Sequence, residues 1–108
     1  MFRMRVFFPL LMWMVDARVT EEVDDRMFNE LRRSVPVFAK FYAPWCGHCQ
    51  KLAPEWTGLA HDINPVNPWH ARVVSVDCTH WPRLCQQNGV TGYPTVKLFY
   101  PNDKKSVR

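Results

Sequence analysis

The sequence predicts an α/β fold with a mostly parallel central sheet. Apolar runs rich in Val and aromatic residues alternate along the chain with segments of helical spacing. A chain of 108 residues needs most of its length for a single hydrophobic core, so one domain is expected. With 47% hydrophobic and 22% charged residues, the composition is that of a folded protein.

A short strand and a short helix are predicted before the first long apolar run. Val19–Val23 forms the strand, and Asp24 and Asp25 stand at the N-cap position of the helix that follows. The helix ends at Ser34–Pro36, because proline cannot continue it. Three residues are predicted on its apolar face: Met27, Phe28 and Leu31.

The centre of the chain combines a buried strand with the longest helix. Val35–Tyr42 is almost continuously apolar, which predicts a central strand that contains Phe41. Cys46–His61 is predicted to be helical, with Pro54 as a kink. Its apolar face is formed by Leu52, Trp56 and Leu59.

The remaining segments complete the order β-α-β-α-β-α-β. Asn64–Pro68 contains two prolines and is predicted to be a loop, and Ala71–Val76 is predicted to be a second buried strand. Pro82–Asn88 forms a short helix that Gly89 ends. Thr95–Tyr100 alternates in polarity and is the last predicted strand.

The amino terminus has the pattern of a secretory signal peptide. Arg3 and Arg5 precede the uncharged apolar run Val6–Val15, which is shorter than the roughly 20 residues that span a membrane. Ala17 provides a small residue at a cleavage point. For the apolar run itself, a buried N-terminal strand is the alternative. Export implies an oxidising compartment. The predicted division is a signal peptide over residues 1–17 and a folded domain over 18–108.

The net charge excludes few functions, but the distribution of the basic residues excludes one. The formal charge is +4, and the basic residues stand singly or in pairs without forming a stripe. A nucleic-acid-binding protein concentrates positive charge on one face. Nucleic acid is therefore not expected as a partner.

The motif Cys46-Gly47-His48-Cys49 lies between a predicted buried strand and a predicted helix. A helix N-terminus carries partial positive charge and free N–H groups that stabilise a thiolate. Cys46 is therefore predicted to be the exposed attacking sulfur and Cys49, one turn later, the resolving one. A charged His48 would favour the reduced form, and Trp45 would cover the adjacent apolar surface.

A zinc site is the alternative interpretation of a CxxC pair. Structural zinc sites of this kind lie in loops, whereas this pair lies at a strand–helix junction, so thiol chemistry is favoured. No metal and no cofactor are expected. The residues formally available as further ligands are Cys78, Cys85, His80, His61 and His70.

The segment Phe41–Trp56 (FYAPWCGHCQKLAPEW) resembles the catalytic segment of the protein disulfide isomerase family, in the thioredoxin superfamily. Val76–Thr79 and Gly89–Phe99 resemble later blocks of that domain in the same order. Modules of thioredoxin domain-containing endoplasmic-reticulum oxidoreductases look most similar. The resemblance implies a thioredoxin-like fold, with a mixed central sheet flanked by helices.

The resemblance also implies roles for individual residues. Cys46 attacks and Cys49 resolves, and Trp45, Tyr93 and Pro94 contact an extended substrate peptide. The Tyr93–Pro94 bond is implied to be cis and to face the CxxC motif. An ordinary trans proline at the start of a strand is the alternative.

Cys78 and Cys85 enclose six residues between a predicted strand and a predicted helix. A structural disulfide that closes this loop is favoured, and a second redox centre is the alternative. Such a disulfide would stabilise the domain without taking part in turnover.

Two features depart from the family pattern. Lys40 occupies the position of a buried acid that helps move the proton of the resolving thiol, so proton transfer here is in question. Its amine either extends to solvent or lowers the pKa of nearby thiols. The family domain also continues through another strand and helix. The chain is therefore expected to be a C-terminally incomplete domain, a module of a longer protein, or completed by a partner.

The predicted function is that of a protein disulfide isomerase, a thiol–disulfide oxidoreductase that forms or rearranges disulfides. Expected partners are unfolded or misfolded secretory proteins and an upstream thiol oxidase or glutathione, with no membrane contact after signal removal. The expected location is the lumen of the endoplasmic reticulum, or outside the cell. A redox-silent client-binding module or an inactive fragment is the alternative.

Overall fold

The computed structural model describes residues 21–65 and 71–102. Three helices and one three-stranded sheet form there, close to the predicted positions. The predicted signal peptide lies outside the described residues, as does His70. The elements are α1 (Asp25–Ser34), β1 (Val37–Tyr42), α2 (Gly47–Ile63), β2 (Arg72–Asp77), α3 (Pro82–Gln87) and β3 (Thr95–Phe99).

The sheet has the order β2-β1-β3 and is mixed. β1 pairs with β2 in parallel, with Tyr42 opposite Asp77, and with β3 antiparallel, with Phe41 opposite Thr95. The six residues of α3 span only about 9 Å, whereas the six of β2 span about 20 Å. Because α3 is too short to carry the chain back along the sheet, β3 begins where β2 ends. The mixed central sheet that the family resemblance implied is therefore confirmed.

The segment before α1 forms a minimal contact with the sheet. Where Val19–Val23 was predicted to be a strand, the described residues hold an isolated parallel bridge between Glu22 and Ser75. The Asp24 carboxylate then accepts a hydrogen bond of 2.7 Å from the Met27 N–H and caps α1. Met27 itself is 40% exposed, so its predicted place on the apolar face is wrong.

Residues that alternate along β1 enter two cores. On the face covered by α1 and α3, three phenylalanine rings meet edge to face, with centroids 5.3 to 6.3 Å apart: Phe28, Phe41 and Phe99. On the opposite face, α2 packs Trp56 and Ala60 against Val73, with Phe38 beside them. The predicted core positions of Phe41 and Trp56 are confirmed.

Two side chains attach α2 to β2. The Trp56 indole N–H donates to the Val74 carbonyl at 3.0 Å. Just after the helix, the buried Asn64 amide donates to the Val73 carbonyl at 2.9 Å and accepts from the Val73 N–H at 2.8 Å. These contacts fix the long helix along the sheet. Within the described part of the chain, no helix has the length and apolar character to cross a membrane.

A disulfide bond joins Cys78 and Cys85, with Cα atoms 5.8 Å apart. Cys78 follows β2 and Cys85 lies in α3, and both are buried in the core beneath α1. The bond therefore ties α3 to the end of β2.

We expect Cys78→Ala/Cys85→Ala to lower the free energy of unfolding by about 2 kcal/mol, since the bond closes a loop between positions separated by 7 residues. Urea unfolding of the double variant and the parent chain measures the difference. Far-ultraviolet circular dichroism serves as the control for a retained fold. Equal unfolding midpoints would contradict a stabilising role for this bond.

We expect Asn64→Ala to cost about 2 kcal/mol, because it leaves the buried N–H and carbonyl of Val73 without their side-chain partner. Asn29→Ala, at an exposed position of α1, is the matched control and should change stability by no more than about 0.5 kcal/mol. Thermal and urea unfolding provide the comparison. Similar effects at both positions would show that the Asn64 contacts contribute little.

Candidate active site

The site begins where the buried strand β1 ends. A turn follows, closed by the Cys46 N–H donating to the Ala43 carbonyl at 3.1 Å. The Gln50 amide reaches back to the Pro44 carbonyl at 2.9 Å and holds the turn against α2. Cys46 is thereby placed at the N-cap of a helix of 17 residues, and no side chain caps that end. Its sulfur lies at the positive end of the helix dipole.

Cys46 and Cys49 are both free thiols with unequal exposure. Cys46 is half-buried, whereas Cys49 is only 3% exposed. The hydrogen bond from the Cys49 thiol, together with backbone N–H groups of Cys49 and His48, lowers the pKa of Cys46. Burial raises the pKa of Cys49, and its interaction with Cys46 raises it further, while the Ala43 N–H and the charge of Lys40 oppose the rise. The first sulfur therefore ionises more readily than the second.

The two residues between the cysteines, Gly47 and His48, are both exposed. Gly47 is the first residue of α2, and no heavy atom lies within 4 Å of where a Cβ would be, so crowding does not require glycine there. His48 is exposed and supports the Cys46 thiolate with its N–H. The role expected of its imidazole charge stays a prediction.

An exposed aromatic pair lies beside the Cys46 sulfur. The Tyr93–Pro94 peptide bond is cis, as the resemblance implied, and the Cys46 thiol donates to the Tyr93 carbonyl at 3.5 Å. Trp45 is 70% exposed, and its ring meets that of Tyr93 edge to face at 5.8 Å. The fold thus brings Trp45, Tyr93 and Pro94 to the side of the reactive thiol.

Lys40 lies behind the cysteines and is 3% exposed, so the first of the two alternatives for its amine, extension to solvent, is wrong. Its ammonium lies 4.0 Å from the Glu21 carboxylate, which also accepts a 2.7 Å hydrogen bond from Ser75. A cleft of about 400 Å³ is lined by both Lys40 and Cys49. Glu21 was not among the predicted site residues, because its position depends on the bridge between Glu22 and β2.

The residues considered as zinc ligands are not brought together in the part of the chain that the structure describes. Among residues 21–65 and 71–102, no group of three or more His, Cys, Asp or Glu side chains could hold a metal ion. Cys78 and Cys85 are joined by their disulfide, and the His80 ring lies 3.1 Å from the Asp77 carboxylate. His61 is exposed on α2, and His70 lies outside the described residues.

Comparisons with known proteins agree with this geometry. The chain is 42% identical over 93 residues to a thioredoxin domain-containing protein 5 homolog of Drosophila melanogaster, covering 86% of this chain and 22% of that protein. It is 47% identical over 88 residues to a probable protein disulfide-isomerase ER-60 of Schistosoma mansoni, covering 81% and 18%. The chain thus spans about a fifth of the length of these relatives.

Thioredoxin domains of known structure also resemble this chain. The crystal structure of the Trx4 domain of ERdj5 matches with a TM-score of 0.65 and 38% identity, covering 84% of this chain and 79% of that one. The first thioredoxin domain of mouse protein disulfide-isomerase A4 matches with a TM-score of 0.64 and 32% identity, covering 80% and 61%. The sequence model of the thioredoxin family matches residues 18–108. This chain belongs to the thioredoxin family and forms a thioredoxin-like domain of the protein disulfide isomerase type.

Proposed function

We propose that this chain is a thiol–disulfide oxidoreductase that forms or rearranges disulfide bonds in secretory client proteins through Cys46 and Cys49. The observation that carries the proposal is the pairing of an accessible thiol of lowered pKa with a buried thiol one helical turn away. Exposed aromatic surface beside the accessible thiol supports a polypeptide as the substrate.

Oxidation of a client begins with the disulfide form of the pair. A client thiolate attacks the Cys46 sulfur, the bond between Cys46 and Cys49 breaks, and its electron pair leaves on the Cys49 sulfur. A second client thiolate then attacks the client sulfur of the mixed disulfide and releases Cys46 as a thiolate. The client gains one disulfide, and the enzyme pair becomes reduced.

Rearrangement begins with the reduced pair. The Cys46 thiolate attacks a client disulfide and releases one client sulfur, which can then attack another disulfide of the same client. When the client stays attached, the Cys49 thiolate attacks Cys46, breaks the mixed disulfide and releases the second client sulfur. Cys49 therefore limits the lifetime of the covalent complex.

In this proposal, the client binds to the exposed surface beside Cys46. The rings of Trp45 and Tyr93 offer apolar contact, and the Tyr93 carbonyl lies close enough to Cys46 to align a client backbone with the attacking thiol. Pro94, next to this carbonyl, has no N–H to compete for the client's acceptors. Recognition through backbone and apolar contacts suits unfolded or misfolded proteins of varied sequence.

The proposed cellular setting follows from the chemistry. A pair that oxidises clients must be reoxidised, and an upstream thiol oxidase or oxidised glutathione supplies that step. Disulfide chemistry of this kind is maintained in the lumen of the endoplasmic reticulum, which is the proposed location. Secretion from the cell is the other outcome of the predicted signal peptide.

A redox-silent client-binding module is the second candidate, favoured by the 70% exposure of Trp45. In that case the aromatic surface would hold unfolded chains, and the cysteines would contribute nothing to the outcome. The two candidates differ in what the sulfur atoms must do.

We expect Cys46→Ser to abolish insulin reduction and the reactivation of scrambled ribonuclease, because it removes the attacking sulfur. Cys49→Ser should retain attack and accumulate a mixed disulfide with the client, visible on a non-reducing gel. The Cys78→Ala/Cys85→Ala chain is the matched control, since it removes two buried sulfurs and should keep turnover. If Cys46→Ser keeps its activity, the enzymatic proposal fails. A Cys46→Ala/Cys49→Ala chain that fully retains the effect on client folding would establish the second candidate.

We expect alkylation of Cys46 by iodoacetamide to reach half its maximal rate below the ordinary thiol pKa of about 8.5. Because the pKa of Cys46 is lowered, the reactive thiolate persists below the ordinary value and is lost only as the pH falls through the lowered one. Cys49→Ala removes the largest cause, the hydrogen bond from the second thiol, and should move the midpoint upward. An unchanged midpoint would show that the Cys49 thiol does not activate Cys46.

A further inference from the structure

Lys40 is a cation enclosed in the site. It lies on β1 between Ala39 and Phe41, whose side chains enter the core on the opposite face of the sheet. The Lys40 side chain faces α2, and its ammonium is 5.9 Å from the Trp56 ring. It lines the same cleft as Cys49, and its charge acts on the Cys49 thiol. The residue is therefore placed to influence the second sulfur of the pair.

Three neighbours surround the Lys40 ammonium. The Glu21 carboxylate lies 4.0 Å away, and the rings of Tyr42 and Trp56 lie 4.9 Å and 5.9 Å from the nitrogen. An opposite charge and aromatic faces both attract a cation, and the attraction is strong where water is scarce. These contacts offset part of the cost of burying the ammonium.

Glu21 is itself held by the adjacent strand. Its carboxylate accepts a hydrogen bond from the Ser75 hydroxyl, and its carbonyl accepts one of 2.6 Å from the Ser75 N–H. The distance between Glu21 and Lys40 is thus set by β2 and not by a free side chain. The arrangement makes Glu21 a fixed counter-charge that weakens the field of Lys40 at Cys49.

Other ionisable groups face the same region from the neighbouring elements. The Tyr42 hydroxyl donates to the Glu22 carboxylate at 2.6 Å, and burial raises the pKa of Glu22 against this hydrogen bond. Asp77, at the end of β2, acts on Glu22 and Tyr42, and Cys46 acts directly on Cys49. Among these groups, Lys40 is the one whose charge favours a thiolate at Cys49.

We propose that Lys40 is a positioning residue that stabilises the Cys49 thiolate during exchange, and that Glu21 limits this effect by pairing with the Lys40 ammonium. The inference rests on the proposed exchange through Cys46 and Cys49. It gives the buried lysine an electrostatic role in place of proton transfer by a carboxylate.

The same charge serves both directions of the reaction. When Cys49 resolves a mixed disulfide, its proton passes to water in the cleft, and the thiolate attacks Cys46 while the client sulfur leaves with the electron pair. When a client thiolate attacks the oxidised pair, Cys49 is the leaving sulfur and carries the negative charge. Lys40 stabilises the Cys49 anion in each case.

The test titrates Cys49 in chains that carry Cys46→Ser, so that no exchange takes place. The fraction of thiolate is followed from pH 5 to 11 through the NMR chemical shift of the Cys49 Cβ and through the rate of alkylation. Lys40→Gln should raise the midpoint by about one pH unit, which means about ten-fold less thiolate at neutral pH. Lys40→Arg should restore most of the shift, and Glu21→Gln should lower the midpoint. Lys51→Gln, which removes the same charge from the exposed face of α2, is the matched control and should leave it unchanged.

The outcomes separate an electrostatic role from a structural one. Thermal unfolding and far-ultraviolet circular dichroism verify that each variant is folded. If folded Lys40→Gln leaves the midpoint within error of its parent, the proposal is overturned. If Glu21→Gln raises the midpoint, Glu21 does not act as the opposing charge, and the proposal is overturned as well. Should Lys40→Gln not fold, Glu21→Gln alone decides, because only an electrostatic link predicts its downward shift.

Activity is measured separately with Cys46 restored. Lys40→Gln should then prolong the mixed disulfide with a client, and higher pH should shorten its lifetime. A parent chain with no exchange activity would refute the proposed function, whereas the titration of Cys49 would still stand or fall by itself. The two failures are therefore distinguishable.

Discussion

The rest of the structure depends on the pairing of β1 with both of its neighbours. β1 hydrogen-bonds to β2 on one side and to β3 on the other, so its direction and both of its faces are determined. Side chains that alternate along it enter the phenylalanine core or face α2. The strand ends at Tyr42, and Cys46 follows after a single turn. The position of the reactive sulfur is therefore a consequence of how the centre of the sheet is built.

Much of this arrangement can be predicted from local sequence. A nearly continuous apolar run identifies β1, and the CxxC motif before a helical pattern places Cys46 at the start of α2. Periodicity alone does not give the direction of β3, because that direction depends on how far α3 carries the chain back along the sheet. The prediction that Met27 lies on the apolar face of α1 is wrong for a related reason. In a helix of ten residues, the spacing of Phe28 and Leu31 does not show how far the buried face extends.

The Lys40 environment shows a different limit of local reasoning. The lysine stands out in an apolar strand, but its partner is distant in sequence and reaches it through the bridge of Glu22 with Ser75. Nothing in the pattern around Glu21 distinguishes it from the other acidic residues before α1. The same holds for Asn64, whose two hydrogen bonds to Val73 depend on how α2 lies along β2.

Stability offers a poor explanation for a charged residue at position 40. Burying an ion pair costs desolvation energy that its attraction rarely exceeds, and apolar residues of similar volume often give equal or greater stability. Here the ammonium and the carboxylate are 4.0 Å apart, with the amine 4% and the acid 13% exposed, so the desolvation is substantial. The charge is more readily understood through what it does to its surroundings.

The charge of Lys40 matters at Cys49 because the dipole of α2 acts unequally on the two sulfurs. The field of a helix terminus falls off within the first turn, and Cys46 at the N-cap receives the most of it. Cys49 is one turn further on and buried, so its thiolate has lost both water and much of the dipole. The proposed exchange nevertheless requires negative charge on Cys49, whether it attacks or leaves. A cation supplied by the central strand, from behind the helix, compensates for what the helix end cannot provide at that depth.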